Sequence, residues 1–242
     1  SWSRAPKSAD REALIATFAD QVKPGDEFAY LPGWEQGWAL AINAGFPAHS
    51  QRLGRDDLLR PYARLWLLSS SDAPAYTPPK GVAQSARFER AGLGAVLLQR
   101  QADVDPLAWP ALDGCQTSLK RKRCQGKSGR IEFTEIGLDG RFALGFKIKL
   151  SSQDPLRLIF RSVAGATLAG GLGWTAHGVR HAQGERVRWQ TKGVANQEAM
   201  LVKAPGLRPL LAVTDAQGAL TLTLERLDSK DAELGLSVGW WR

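Results

Sequence analysis

The strongest constraint on the fold is a change of texture near residue 105. Ahead of it, apolar residues recur alternately at helical and at strand spacing. Behind it, only strand-length segments separated by turns remain. The stretch from Asp103 to Pro110 contains Pro106 and Pro110. It predicts a boundary between a domain over 1–105 and a second over 106–242.

In the first part, Leu14, Ile15, Phe18, Ala19 and Val22 fall on one helical face, with Ser8 as the expected cap and Glu12 beside it. Lys23-Pro24-Gly25-Asp26 ends that helix. A strand is expected over 27–31, a helix over 34–44, a short strand over 48–53 and a short helix over 56–62. Strands are expected over 64–69 and 94–100, with a loop over 70–80. The 64–69 strand is apolar through its middle, as when helices cover both faces of a sheet. The expected fold is a small Rossmann-like three-layer α/β domain.

In the second part, strands are expected over 130–136, 141–150, 156–163, 186–191, 198–203, 210–214, 220–227 and 234–241. Gly137-Leu138-Asp139-Gly140 and Asp215-Ala216-Gln217-Gly218 read as turns between them. Short strands in series predict an antiparallel β-sandwich of jelly-roll type. The fold class is thus α/β plus all-β.

Charge narrows the partners. Residues 1–105 carry 12 basic and 12 acidic residues, and 106–242 carry 20 and 12, so the net +8 lies wholly in the second part. Lys120, Arg121, Lys122 and Arg123 supply four of those charges in one run. A local patch of this kind is not the domain-wide footprint that nucleic acid requires, and no nucleic-acid partner is expected. The bland alternative is a solvated loop. A third reading is attraction to anionic lipid head groups, at about 1 kcal/mol per basic residue near the surface.

The run lies inside Cys115-Gln116-Thr117-Ser118-Leu119-Lys120-Arg121-Lys122-Arg123-Cys124, which holds both cysteines of the chain. A zinc site needs four ligands, and the three histidines, His49, His177 and His181, are remote in sequence from the cysteines. No metal and no cofactor are expected. A disulfide closing this loop is favoured over two free thiols. It would stabilise the fold by about 2.7 kcal/mol in the loop-entropy model and would persist only in an oxidising compartment.

Other matches carry less. Gly126-Lys127-Ser128 resembles the end of a phosphate-binding loop, but Arg121 stands where the first glycine is needed. Gly171-Leu172-Gly173-Trp174-Thr175-Ala176 fits a loose dinucleotide fingerprint, yet no amphipathic helix follows, and a glycine-rich loop is the expectation. His177 and His181 fall in a segment expected to be a surface loop. Trp34 and Trp38, with Glu35 between them, are spaced to share a helix face that could stack on a sugar. Trp174 and Trp189, with Arg180 and Arg188, form a second candidate carbohydrate or anion site. Core packing is the competing reading for all four indoles.

The segments Pro24-Gly25-Asp26, Leu31-Pro32-Gly33-Trp34-Glu35, Tyr62-Ala63-Arg64-Leu65-Trp66-Leu67-Leu68-Ser69 and Gly94-Ala95-Val96-Leu97-Leu98 resemble the soluble tail of bacterial polytopic membrane glycosyltransferases. The group in question is the dolichyl-phosphate-mannose mannosyltransferase and aminoarabinose transferase group. The likeness covers about residues 8–101. It implies a small extracytoplasmic α/β domain beside a membrane, with the membrane part of the parent protein or an anionic membrane surface as partner. That family's catalytic carboxylates lie in loops between membrane spans, so no catalytic residue carries over. The β-rich part resembles an appended carbohydrate-binding sandwich.

The chain has no 18-residue apolar run and does not begin with Met, as expected of a processed protein or of a soluble fragment of a longer one. The reading is a non-catalytic, periplasmic domain of a membrane glycosyltransferase-like protein that assists glycan, acceptor or partner binding. The alternatives are a secreted carbohydrate-binding protein, or a hydrolase or transferase whose site carries no recognisable motif.

Overall fold

A computed structural model describes residues 7–32, 35–52, 56–70, 76–79, 81–100, 107–138 and 141–241. The chain divides into two compact units. One comprises Ser1–Gly54 and Tyr62–Val104, and the other Arg55–Pro61 and Asp105–Arg242.

The first unit contains α1 (Ser8–Phe18), β1 (Glu27–Leu31), α2 (Gln36–Gly45), β2 (Arg64–Ser69), β3 (Val82–Arg90) and β4 (Leu93–Arg100). Its sheet runs β1-β2-β4-β3. β1 and β2 are parallel across the α2 crossover, whereas β2/β4 and β3/β4 are antiparallel. The Rossmann-like three-layer expectation is corrected here. Leu14 and Phe18 of α1 and Trp38 and Ile42 of α2 share one apolar cluster with Phe28, Tyr30, Trp66, Leu68 and Leu97, so both helices cover the same sheet face. The missing signal was β3, an edge strand whose only core-facing apolar side chains in its second half, Ala86 and Phe88, are half-buried among exposed polar residues. It joins β4 through Ala91 (φ 50°) and Gly92 (φ 77°), a turn that enforces antiparallel pairing.

One carboxylate ties this unit together. Asp26, 2% exposed, accepts bonds from Arg64 Nε (2.7 Å), Arg64 Nη2 (3.1 Å), Trp66 Nε1 (2.9 Å) and the Lys23 amide (3.0 Å). It thereby sets the start of β1 beside β2, in the register Glu27↔Leu65 and Phe28↔Trp66. At the head of α1 the amide of Lys7 donates to Asp10 (3.0 Å), and Ser8 lies inside the helix, its hydroxyl on Glu12 (2.9 Å), not at the cap.

The second unit is a β-sandwich. Its strands are β5 (Ala111–Leu112), β6 (Cys115–Gln116), β7 (Arg123–Gln125), β8 (Gly129–Leu138), β9 (Arg141–Leu150), β10 (Leu156–Arg161), β11 (Thr167–Trp174), β12 (Arg186–Lys192), β13 (Gln197–Val202), β14 (Leu207–Val213), β15 (Ala219–Arg226) and β16 (Ala232–Trp241). A short helix, α3 (Ala176–His181), follows β11. One sheet runs β13-β12-β15-β10-β5-β6 and the other β14-β11-β16-β9-β8-β7, with antiparallel neighbours throughout.

Strict alternation builds the core between the sheets. Leu156, Leu158 and Phe160 of β10, Leu220, Leu222 and Leu224 of β15, and Val187 and Trp189 of β12 face inward. They meet Ile131, Phe146, Ile148, Leu168, Leu172, Leu234 and Leu236 of the other sheet. Each such side chain contributes about 1.5–3 kcal/mol relative to exposure. The apolar interior therefore fixes the register, and the residues between are turned outward.

Two expectations for this unit are corrected. The segment expected as a glycine-rich loop at 171–176 is the end of a strand, β11, running between β14 and β16, followed by the cap and first residue of α3. A Cβ on Gly170 would stand 1.9 Å from the Ser237 carbonyl, and one on Gly173 would stand 2.2 Å from that of Gly206. The glycines admit neighbouring backbone, not a phosphate. The loop expected at His177 and His181 is α3, capped by Thr175, whose hydroxyl accepts from the Gly178 amide at 2.8 Å.

Candidate functional site

The outward residues of the first sandwich sheet form ordered rows. Arg157 of β10 pairs with Thr223 of β15, Thr223 with Gln190 of β12, and Gln190 with Glu198 of β13. The next row holds Ile159, Thr221 and Lys192. Neighbouring strands stand about 4.8 Å apart, so guanidinium, hydroxyl, amide and carboxylate groups repeat at that interval. A cleft of about 750 Å³ lies over these rows, with Asp113, Asn196 and Gln197 at its margins. Binding clefts typically measure roughly 300–1,000 Å³.

Some of the lining is pre-arranged. Gln190 Nε2 donates to Glu198 Oε2 at 2.8 Å. Arg188, one residue pair along, donates through Nε (3.0 Å) and Nη2 (2.6 Å) to Glu225 Oε2, and its Nη1 lies 3.8 Å from Glu198. The bond to Glu225 and the charge of Glu225 raise the Arg188 guanidinium further above its ordinary value, so it stays charged. Arg188 and Glu225 close one end of the rows.

Of the acids that line the cleft, Asp113 and Glu198 stand too far apart for paired acid–base work. Asp113 follows β5 and Glu198 lies on β13, and four strand intervals separate those strands, which is about 19 Å. Glycoside hydrolysis needs its two carboxyl groups within about 10 Å. Among the described residues, no group of three or more His, Cys, Asp and Glu is arranged to hold a metal ion.

The residues singled out by sequence do not converge. Trp34 lies outside the described residues. Glu35 is ion-paired with Arg11 at the head of α2. Trp38 is fully buried beneath the Arg11 guanidinium, which lies 5.7 Å from its ring, so it cannot stack on a ligand. Trp174 and Trp189 are 1% and 5% exposed inside the sandwich. Arg180 is exposed on α3, its Nε on the Ala176 carbonyl at 3.2 Å. None of that group lines the cleft; Arg188 lies one residue pair beyond it, 3.8 Å from Glu198 of the lining. The residues missed, Arg157, Gln190, Lys192, Thr221 and Thr223, carried a usable signal in their strands, since each alternates with a buried residue.

The other predicted feature is intact. Cys115 and Cys124 form a disulfide with a Cα–Cα distance of 6.1 Å. It joins β6, at the edge of one sheet, to β7, at the edge of the other. Lys120, Arg121, Lys122 and Arg123 are all exposed between and beside those ends.

No family model matches the chain, and no curated protein sequence matches it. Among solved structures, it is similar to the CBM51-2 (in complex with GlcNAc) and INT domains of Clostridium perfringens ZmpB, with a TM-score of 0.38 and 12% identity over 71% of this chain and 45% of that one. It is also similar to TmCBM61 in complex with beta-1,4-galactotriose, with a TM-score of 0.27 and 8% identity over 40% of this chain and 70% of that one. A third similarity is to the ANXUR1 extracellular domain of Arabidopsis thaliana, with a TM-score of 0.30 and 9% identity over 69% of this chain and 61% of that one. The chain thus spans less than half the length of the ZmpB structure and less than two thirds of ANXUR1. The sandwich assignment rests on the strand pairing itself.

Proposed function

We propose that the sandwich is a non-catalytic glycan-binding module and that the cleft over β10, β15 and β12 is its binding face. The observation that carries this reading is the pair of rows Arg157–Thr223–Gln190–Glu198 and Ile159–Thr221–Lys192. A ligand that satisfies alternating donors and acceptors every few ångströms must itself be dense in hydroxyl groups. The single apolar member, Ile159, offers a small contact for a sugar's C–H face. Among the described residues no aromatic side chain lines the cleft, so affinity rests on hydrogen bonds at about 1 kcal/mol each, and individual sites are weak.

The disulfide supports an oxidising, extracytoplasmic setting for the module. Among the described residues no helix is long and apolar enough to cross a membrane. The resemblance of residues 8–101 to the tails of membrane glycosyltransferases favours a second reading, in which the module presents glycan or acceptor to a membrane-embedded transferase. Asp26, Arg64 and Trp66 lie in two of the segments that carry this resemblance, and Asp26 accepts hydrogen bonds from the other two.

A glycan array with the intact chain tests the main reading. Binding to a subset of glycans is expected, and Gln190→Ala and Thr223→Val should each weaken it about five- to tenfold. Wild-type protein that retains no glycan, or variants that bind as well as wild type, would overturn the assignment.

A further inference from the structure

The loop closed by the disulfide has a build that the glycan cleft does not use. Its base is held firmly. Thr117 is fully buried and its amide donates to the Pro110 carbonyl (3.3 Å), while the Phe133 amide donates to the Lys122 carbonyl (2.6 Å). Its tip is a tight turn in which the Ser118 amide donates to the Arg121 carbonyl (3.3 Å) and the Arg121 amide to Ser118 Oγ (3.2 Å). Leu119 and Lys120 occupy the crest of that turn, and Leu119 is 68% exposed. Lys120, Arg121, Lys122 and Arg123 follow it in the chain, all exposed. Arg123 pairs across strands with Glu132, but that carboxylate is already shared by Arg130 (3.6 Å) and Lys147 (3.7 Å). Glu135, further along β8, is exposed, whereas Glu132 is half-buried.

From this arrangement we infer that the disulfide-closed loop docks on an anionic lipid surface, with Leu119 entering the interface and Lys120 to Arg123 engaging head-group phosphates. A solvated charged loop has no need of an exposed leucine at its crest, and a site for a soluble anion gains nothing from one. An exposed apolar tip followed directly by four exposed cations fits a boundary between charge and hydrocarbon. The covalent closure holds the tip in place before binding, so little order is lost on contact. This inference does not depend on the glycan cleft.

The test is sedimentation of the intact, oxidised protein with phosphatidylglycerol–phosphatidylcholine vesicles at low salt. Binding is expected to those vesicles and not to pure phosphatidylcholine. Each basic residue is worth about fivefold, so the triple variant Lys120→Ala, Arg121→Ala, Lys122→Ala should bind about a hundredfold more weakly. Leu119→Ser should lose several-fold on vesicles while its affinity for inorganic polyphosphate stays unchanged, which separates a lipid surface from a soluble polyanion. Equal binding to both vesicle types, an unaffected triple variant, or a Leu119→Ser variant that binds vesicles as wild type does would each overturn the inference.

Discussion

Single residues hold this chain in ways that do not announce themselves. Burial by itself would raise the Asp228 carboxyl, but backbone amides of Glu185 (2.8 Å), Lys230 (3.2 Å) and Arg186 (3.4 Å), with the charge of Arg226, hold it below its ordinary 3.8. A carboxyl with a lower pKa when folded binds fewer protons in that state. Its contribution is therefore present above the ordinary value and is lost as pH falls through the depressed one. Asp228→Asn should cost less than about 1 kcal/mol at pH 7, given its partial exposure, and the gap to wild type should close as pH drops below the ordinary value. Urea unfolding over a pH series reads this directly, and a gap independent of pH would contradict it.

The tryptophans teach the complementary lesson at this scale. Composition cannot separate an indole that stacks on sugar from one that fills a core. Parity within the strand can. In Arg186–Lys192, Trp189 shares its face with Val187, while Arg188 and Gln190 share the other. The core residue and the cleft residues were distinguishable there without knowing any neighbour.

At the scale of elements, β11 was hidden because its glycines imitate a loop. They are required by proximity: Gly170 has φ +154°, a conformation that L residues avoid, and its α-carbon lies against the backbone of β16. Gly170→Ala should destabilise the sandwich by roughly 3 kcal/mol or more, since backbone and not a flexible side chain must yield. Chemical denaturation checks this, and a stability within about 0.5 kcal/mol of wild type would refute the packing argument.

The disulfide is an element-scale device as well. Its cysteines were legible as a pair, but their role in joining the edges of two sheets depends on strand order, which short-range patterns do not encode. Replacing both with alanine, so that no lone thiol remains, should lower stability by about 2–3 kcal/mol. Unchanged stability would show that the sheets need no such tie. β3 went unseen for a different reason. Its alternation is short and is broken by the irregularity between Gln84 and Ala86, so only Ala86 and Phe88 mark its inner face.

For the whole molecule, the strands of the second unit were largely readable because Leu-x-Leu alternation is strong in segments such as Leu220–Leu224. The cleft was not readable, because it assembles residues from Asp113 to Thr223 through sheet pairings of long sequence separation. In the first unit the βαβ start was legible and the layering was not. Both helices lie on one face, and an antiparallel β3–β4 hairpin stands where alternating elements alone had pointed to a further βα unit. The central claim is a location, so the most direct measurement is one that maps a bound ligand. NMR titration of the labelled protein with a glycan selected on the array should perturb the amides and side chains of Arg157, Gln190, Lys192, Thr221 and Thr223 and leave the Trp174 and Trp189 indoles unmoved. Shifts confined to the second sheet, to the basic loop or to the first unit would contradict the account.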